Sequence, residues 1–263
     1  MKKNKERDNK TSISIVSMLV LIFMVMTSIT ACGFLGIGNT ASWKEEVLLH
    51  DGSKIIVKRW QKREGSHEPG QKPSVSDQSI TFTLPGTNKT IKWKDEYSKE
   101  IGRANFELFA LHILNATPYI ITSPRLCLSY NKWGRPNPPY VIFKFESDTW
   151  KRIELADLPT EFKNINLVIN SESHEEKLVS QGLASAEMVK NLNSSLTQEE
   201  CKTIVRTPMA GVGCREEFYD GTYWRGVGKF KKQPSHETCK DVCKQEKINN
   251  EYCPCDSLFK GGK

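Results

Sequence analysis

The sequence predicts a mainly β fold: an antiparallel sandwich or open barrel with one late helix, followed by a small disulfide-stabilised α+β module at the C-terminal end. Short runs of alternating apolar and polar residues, separated by turn residues, recur between Trp43 and Ile169. A helical period replaces them only after Ser185. Six of the eight cysteines follow residue 200, which separates that end from the rest.

The elements follow in order. Lys44–Leu49 and Lys54–Arg59 flank His50-Asp51-Gly52-Ser53, and two apolar runs around Asp-Gly predict a hairpin. Residues 62–78, with Gly65, Pro69, Gly70 and Pro73, read as a long loop. Ile80–Leu84 and Thr90–Trp93 alternate on either side of Pro85-Gly86-Thr87-Asn88, a second hairpin with one buried face. Residues 106–121 read as strand, turn, strand, broken at Asn115-Ala116-Thr117-Pro118, with a helix over 104–114 as the alternative. Leu126–Tyr130 is another short apolar run. Tyr140–Phe145 and Thr149–Leu155 pair around Glu146-Ser147-Asp148, and Ile165–Ile169 reads as a last strand. Ser185 can cap a helix with Glu187 in its first turn, and Met188, Val189, Leu192 and Leu196 form its core stripe.

One connection stands out. Asn131-Lys132-Trp133-Gly134-Arg135-Pro136-Asn137-Pro138-Pro139-Tyr140 holds three prolines, which stiffen the backbone. Trp133, Arg135 and Tyr140 would project from it at little entropic cost, so they are the candidate binding loop. The alternative is a rigid connection whose aromatics pack onto its own base.

The N-terminal end carries an address. Lys2, Lys3, Lys5, Arg7 and Lys10 face Glu6 and Asp8, and residues 13–29 carry no charge. A positive head, an apolar body and a small-residue exit predict a signal peptide over 1–31. An uncleaved membrane helix is the alternative, at the short end of the roughly 17–25 residues a span needs. Ile29-Thr30-Ala31-Cys32 resembles the lipobox of bacterial lipoproteins. That resemblance implies cleavage before Cys32, a diacylglycerol thioether on its sulfur and acylation of its amine with chains such as palmitate. Two chains anchor stably where one holds marginally. Gly33 and Phe34 follow with no Asp at the second position, which by resemblance to lipoproteins of two-membrane bacteria implies the outer membrane, facing the periplasm; a one-membrane host would place the chain on the outer face of the cytoplasmic membrane instead. The domains read as 1–31 signal peptide, 32–42 lipidated tether, 43–207 β-rich domain and 208–263 cysteine-rich module.

Further residues carry a wider likeness. Ser42-Trp43-Lys44-Glu45-Glu46-Val47 with His50-Asp51-Gly52, and Cys127-Leu128-Ser129-Tyr130-Asn131-Lys132-Trp133-Gly134-Arg135-Pro136, resemble a group of uncharacterised proteobacterial lipoproteins over about 43–207. That group brings no activity and no functional residue with it.

An exported compartment makes disulfides the default for the late cysteines. Ser235 can cap a helix that puts Cys239 and Cys243 on one face, and Tyr252-Cys253-Pro254-Cys255 reads as a strand with both sulfurs on one side. The spacing is similar to the cysteine-stabilised αβ scaffold of defensins and scorpion toxins, but the return is shorter. An antiparallel return favours Cys239–Cys255 with Cys243–Cys253. Cys201–Cys214 is then the expected third bridge, with Cys127 left as a buried thiol. Phe218–Trp224 supplies one more hairpin. Zinc held by His236, Cys239, Cys243 and Cys253 or Cys255 is the alternative.

Charge and motifs exclude several classes. The net +7 falls to +4 once the +3 of residues 1–31 is removed, and the excess is spread along the chain. That argues against a nucleic-acid partner and against a polybasic membrane arm. Gly-x-Ser-x-Gly, His-Glu-x-x-His and phosphate-cradling glycine loops are absent from the sequence. His112 reads as a core residue, His174 with Glu172, Glu175 and Glu176 as a solvated helix start rather than a cation site, and His50, His67 and His236 are scattered. No catalytic residue, metal or cofactor is assigned. The expected function is a membrane-anchored envelope lipoprotein that binds another envelope protein, as an inhibitor or immunity factor, without catalysis. The alternative is a tethered periplasmic hydrolase with a site assembled across the sheet.

Overall fold

The computed structural model describes residues 39–259; Cys32 and the signal segment lie outside them. Contacts divide the chain into Met1–Thr40 and Ala41–Lys263, and the sheets belong almost wholly to the second unit. Strand β1 spans Thr40–Leu48 and β2 spans Lys54–Arg63. Residues 40–42 are therefore strand, where a tether was expected. The turn between them is Asp51-Gly52: Asp51 Oδ1 accepts from the Ser53 amide at 2.9 Å and its hydroxyl at 2.6 Å. Gly52 adopts φ 85°, a conformation that L side chains resist.

Strands β3 (Val75–Thr83) and β4 (Thr90–Asp95) extend this sheet on one side. On the other, the two-residue β9 (Leu183–Ala184) pairs parallel with Lys44 and Glu45, giving the order β4-β3-β2-β1-β9. The second sheet is an antiparallel meander of β5 (Phe106–Leu114), β6 (Thr117–Pro124), β7 (Val141–Glu146) and β8 (Thr149–Ile153). Val47, Val57, Ile80, Phe82, Ile91 and Trp93 from the first sheet pack against Phe106, Leu108, Leu111, Ile113 and Ile120 from the second. Two apolar faces stacked in this way make an open sandwich.

The far side of the second sheet is buried as well. Phe109, Ala110, Tyr119, Ile121 and Ile142 are covered by Leu158, Phe162, Ile204 and Val205 from irregular segments. Burial on both faces explains why β5 and β6 read as continuous apolar runs instead of alternating ones. The expected strand over 165–169 is absent; instead, the segment hooks over a bulge. The β5 register shifts between Leu108 and Ala110, and the Phe109 carbonyl accepts from the amides of Asn166 (3.3 Å) and Leu167 (3.1 Å). Asn166 Oδ1 accepts from the Leu111 amide at 2.9 Å. Its Nδ2 donates to the carbonyls of Leu111 (2.8 Å) and Leu48 (3.0 Å), tying one sheet to the other.

Helix α1 (Leu126–Lys132) replaces the short apolar run expected there. The late helical region holds two helices, α2 (Ser171–Gln181) and α3 (Ala186–Asn193). The α3 N-terminus is capped as expected, Ser185 Oγ accepting from the Met188 amide at 3.2 Å. Beneath these helices lies a buried ion pair, Arg59 Nη1 to Glu45 Oε1 at 3.0 Å. Glu45 also accepts from the Trp43 indole (2.7 Å) and the Val168 amide (3.0 Å), so its oxygens are satisfied. No described helix is long and apolar enough to cross a membrane.

The cysteine-rich end carries a hairpin of β10 (Glu217–Tyr219) and β11 (Trp224–Gly226), then short α4 (Gly228–Lys231), α5 (His236–Gln245) and α6 (Cys255–Phe259). Ser235 and Thr238 form a capping box on α5. The strand expected over 252–255 is instead a turn that leads into α6.

Candidate functional site

The loop expected to project turns inward. Trp133 packs its ring on Phe106, with centroids 4.6 Å apart, and donates its indole N–H to Asn105 Oδ1 at 3.2 Å. Tyr140 is buried; its hydroxyl accepts from the Val205 amide at 3.2 Å and faces the carbonyls of Glu200 (3.1 Å) and Thr203 (3.2 Å). Burial pushes its phenol pKa up to about 12. Arg135 donates to the carbonyls of Cys214 (2.8 Å) and Arg215 (3.3 Å) and to Asn131 Oδ1 (2.8 Å). Asn137 exchanges two bonds with the Met209 backbone, at 2.8 and 3.0 Å. Trp133, Arg135 and Tyr140 thus do not project from the loop; their polar groups and rings are engaged within the fold. The segment holds residues 209–217 in place.

The disulfides sharpen this picture. Cys239–Cys255 and Cys243–Cys253 form the nested pair. The third bridge is Cys127–Cys214, closing a separation of 87 residues, and Cys201 carries the free thiol. The expected Cys201–Cys214 bridge is therefore corrected. Arg135, donating to the Cys214 carbonyl, and Asn131, donating to the Arg215 carbonyl, hold Cys214 near α1, where Cys127 sits, while Cys201 packs against the core beyond the second sheet. Burial, then the charges of Glu200 and Glu107, push the Cys201 thiol up to about 11, so it stays protonated.

No catalytic group emerges from the histidines. Among the described residues, no hydroxyl or thiol is hydrogen-bonded to a histidine ring. His112 is buried, stacks on Phe162 at 4.7 Å and places Nε2 2.9 Å from the Asn164 carbonyl, which fixes the proton on Nε2. Burial lowers its pKa to about 4. His236 pairs with Asp256 at 2.7 Å on the exposed side of α5. The sulfurs of Cys243, Cys253 and Cys255 lie within 4.8 Å of one another, but disulfide bonds leave them no thiolate to offer zinc. Glu172 and Glu175 near His174 are neutralised by arginines: Arg63 lies 3.2 Å from Glu172 and 2.9 Å from Glu175, and Arg125 bonds Glu172 as well as Glu107, the latter at 2.6 Å.

One surface gathers unsatisfied charge. On β2, β3 and β4 the inward residues alternate with Lys58, Trp60, Lys62, Asp77, Ser79, Thr81, Lys92 and Lys94, which face away from the sandwich, with Asp77 opposite Lys62. Register places Lys58 opposite Thr81 and Thr81 opposite Lys92; on the next outward row, Trp60 faces Ser79 and Ser79 faces Lys94. Small hydroxyl residues between two lysine-bearing strands leave a groove of about 630 Å³. Lys62 is paired with Glu64 at 2.8 Å and Lys94 with Glu96 at 3.8 Å. Among the described residues, Lys58 and Lys92 have no carboxylate within ion-pair distance. The two hairpins were legible from their turns, and their alternation was the signal that could have found this face. Read linearly, the lysines are dispersed.

No protein-family model matches the chain, and no curated protein or solved structure matches it.

Proposed function

We propose that this chain is a lipid-anchored envelope protein, tethered through acylated Cys32, that binds the acidic face of another envelope protein without catalysis. Lys58 and Lys92 carry the binding half of the reading: among the described residues neither has a carboxylate within ion-pair distance, and they flank Thr81 beside Trp60 on the outward side of the first sheet. Tryptophan at the centre of a charged rim is the composition of a binding hot spot, and lysines around it steer an acidic partner and fix its register. Anchoring supports the same reading, since a tethered protein meets its partner at high effective concentration. Outer-membrane residence facing the periplasm belongs to the proposal through the lipobox resemblance and Gly33.

Zero-length carbodiimide crosslinking of the full-length protein in envelope vesicles tests it. Lys58 or Lys92 should be joined to Asp or Glu of one partner, with the yield falling in Trp60→Ala and as salt rises. Crosslinks spread evenly over all exposed lysines, unchanged by Trp60→Ala, would refute it.

A further inference from the structure

We infer that the cleft along the open edge of β1 is a binding site for a medium-chain acyl anion, a ligand with an apolar tail and a carboxylate head. β9 covers only Lys44 and Glu45 on that edge. Beyond it, Leu48, Ile165, Ala186, Val189, Leu196 and Cys201 surround a space of about 460 Å³, a volume typical of ligand sites. It would hold about fifteen waters at their liquid share of about 30 Å³ each.

The wall is less polar than its sequence suggests, because the side-chain amides of Asn166 and Asn193 are spent on the fold. Asn166 uses both side-chain atoms on Leu111 and Leu48. Asn193 accepts from the Ile169 amide at 3.0 Å and donates to the Leu167 carbonyl at 2.8 Å. The Asn164 carbonyl faces His112, and the Ser194 hydroxyl donates to the Asn191 carbonyl at 2.7 Å. Waters in the cleft therefore find few partners, and an apolar chain displaces them at little loss. Cys201 behaves there as a small apolar group, protonated as described above.

The rim supplies the opposite chemistry. Lys190 on α3 and Lys202 after the short turn Glu199–Cys201 are exposed lining residues. Among the described residues neither lies within ion-pair distance of a carboxylate. An apolar interior under two ammonium groups that no described carboxylate pairs favours an amphipathic anion over a neutral or cationic one. This site shares no residue with the lysine face of β2–β4.

Photo-crosslinking tests the assignment on the protein purified from its native membrane and placed in phospholipid nanodiscs. The probe is a diazirine-bearing decanoate, and competitors are unlabelled decanoate, decanol and decyltrimethylammonium. Crosslinks should concentrate on the peptides containing Leu48, Val189 and Leu196. Decanoate should compete best, with affinity rising about fourfold per methylene from octanoate to decanoate. Thiol labelling of Cys201 should slow by the same occupancy. Lys190→Glu/Lys202→Glu should weaken decanoate at least tenfold while leaving decanol competition unchanged. Ala186→Phe, a surface substitution that fills the cleft, should abolish crosslinking with the disulfide pattern intact. The assignment is overturned if crosslinks map elsewhere, if Cys201 labelling ignores decanoate, or if decanol and the cationic amphiphile compete as well as decanoate.

Discussion

Arg135 Nη2 donates to the carbonyl oxygen of Cys214 at 2.8 Å, so the disulfide that ends at Cys214 is backed by a charge-assisted hydrogen bond to the same residue's backbone. A covalent link and a guanidinium act together to hold the cysteine-rich end against α1.

The first prediction concerns that clasp. Cys127→Ser removes a crosslink across 87 residues, worth about 4.6 kcal/mol by chain entropy. Arg135→Ala alone should cost about 1–3 kcal/mol. In hydrogen exchange, both variants should open residues 209–217 before the sheets. In the unaltered protein, alkylation under denaturing, non-reducing conditions should label Cys201 and none of the six bridged cysteines.

A second prediction concerns the buried pair under the helices. Glu45→Ala leaves Arg59 charged and enclosed, which should cost about 3–5 kcal/mol in denaturant unfolding. Glu45→Gln keeps acceptors for Trp43 and Val168 and should cost less. Equal losses in the two variants would mean that the acceptors kept by glutamine contribute nothing beyond the charge of Glu45.

The third prediction is a pH dependence. The folded His112 pKa of about 4 lies below its ordinary 6.5, so the unfolded chain binds the extra proton between these values. Stability should be full above pH 6.5 and fall toward pH 4, by up to about 3 kcal/mol. Asp95 acts in the opposite sense. Burial raises its pKa even though the amides of Asn105 (3.0 Å) and Phe106 (2.8 Å), with the side chains of Asn105 and Gln78, pull it down. Its contribution is present at low pH and fades as pH rises through the raised value, partly masking the acid limb of His112. His112→Gln keeps a donor for the Asn164 carbonyl and should flatten the dependence between pH 4 and 6.5. An unchanged slope would assign it to other groups.

Legibility followed local chemistry. Asp51-Gly52 and the alternation on either side of it reveal the first hairpin, since turn and strand preferences agree there. The start of helix α2 is legible at Glu172–Glu176, but its extent is not, because it carries little apolar period: only Ser171 and Leu178 are buried, its N-cap Asn170 is left-handed without a side-chain bond, and Arg63 and Arg125 hold it through carboxylates. Helix α1 escapes because it is short and begins at Leu126 with φ 61°. Trp133 and Tyr140 looked like surface anchors because a stiff loop says nothing about which way its rings point. The pairing of Cys127 with Cys214 depends on tertiary placement that spacing does not encode.

The fourth prediction separates the lysine face from general basicity. Lys58→Glu/Lys92→Glu should reduce capture of an acidic partner at least tenfold and flatten its salt dependence, with little change in stability, since both lysines are exposed. Lys151→Glu and Lys240→Glu, elsewhere on the surface, should leave capture unchanged. Equal losses in all four would reduce the face to bulk charge.

The anchor is tested most directly by mass spectrometry of the N-terminal peptide of protein purified from its native membrane. A peptide that begins at Cys32 and carries a thioether-linked diacylglycerol is the expected result. Recovery of residues 1–31 still attached, or an unmodified Cys32 thiol, would contradict lipid anchoring and with it the envelope setting in which the lysine face meets its partner.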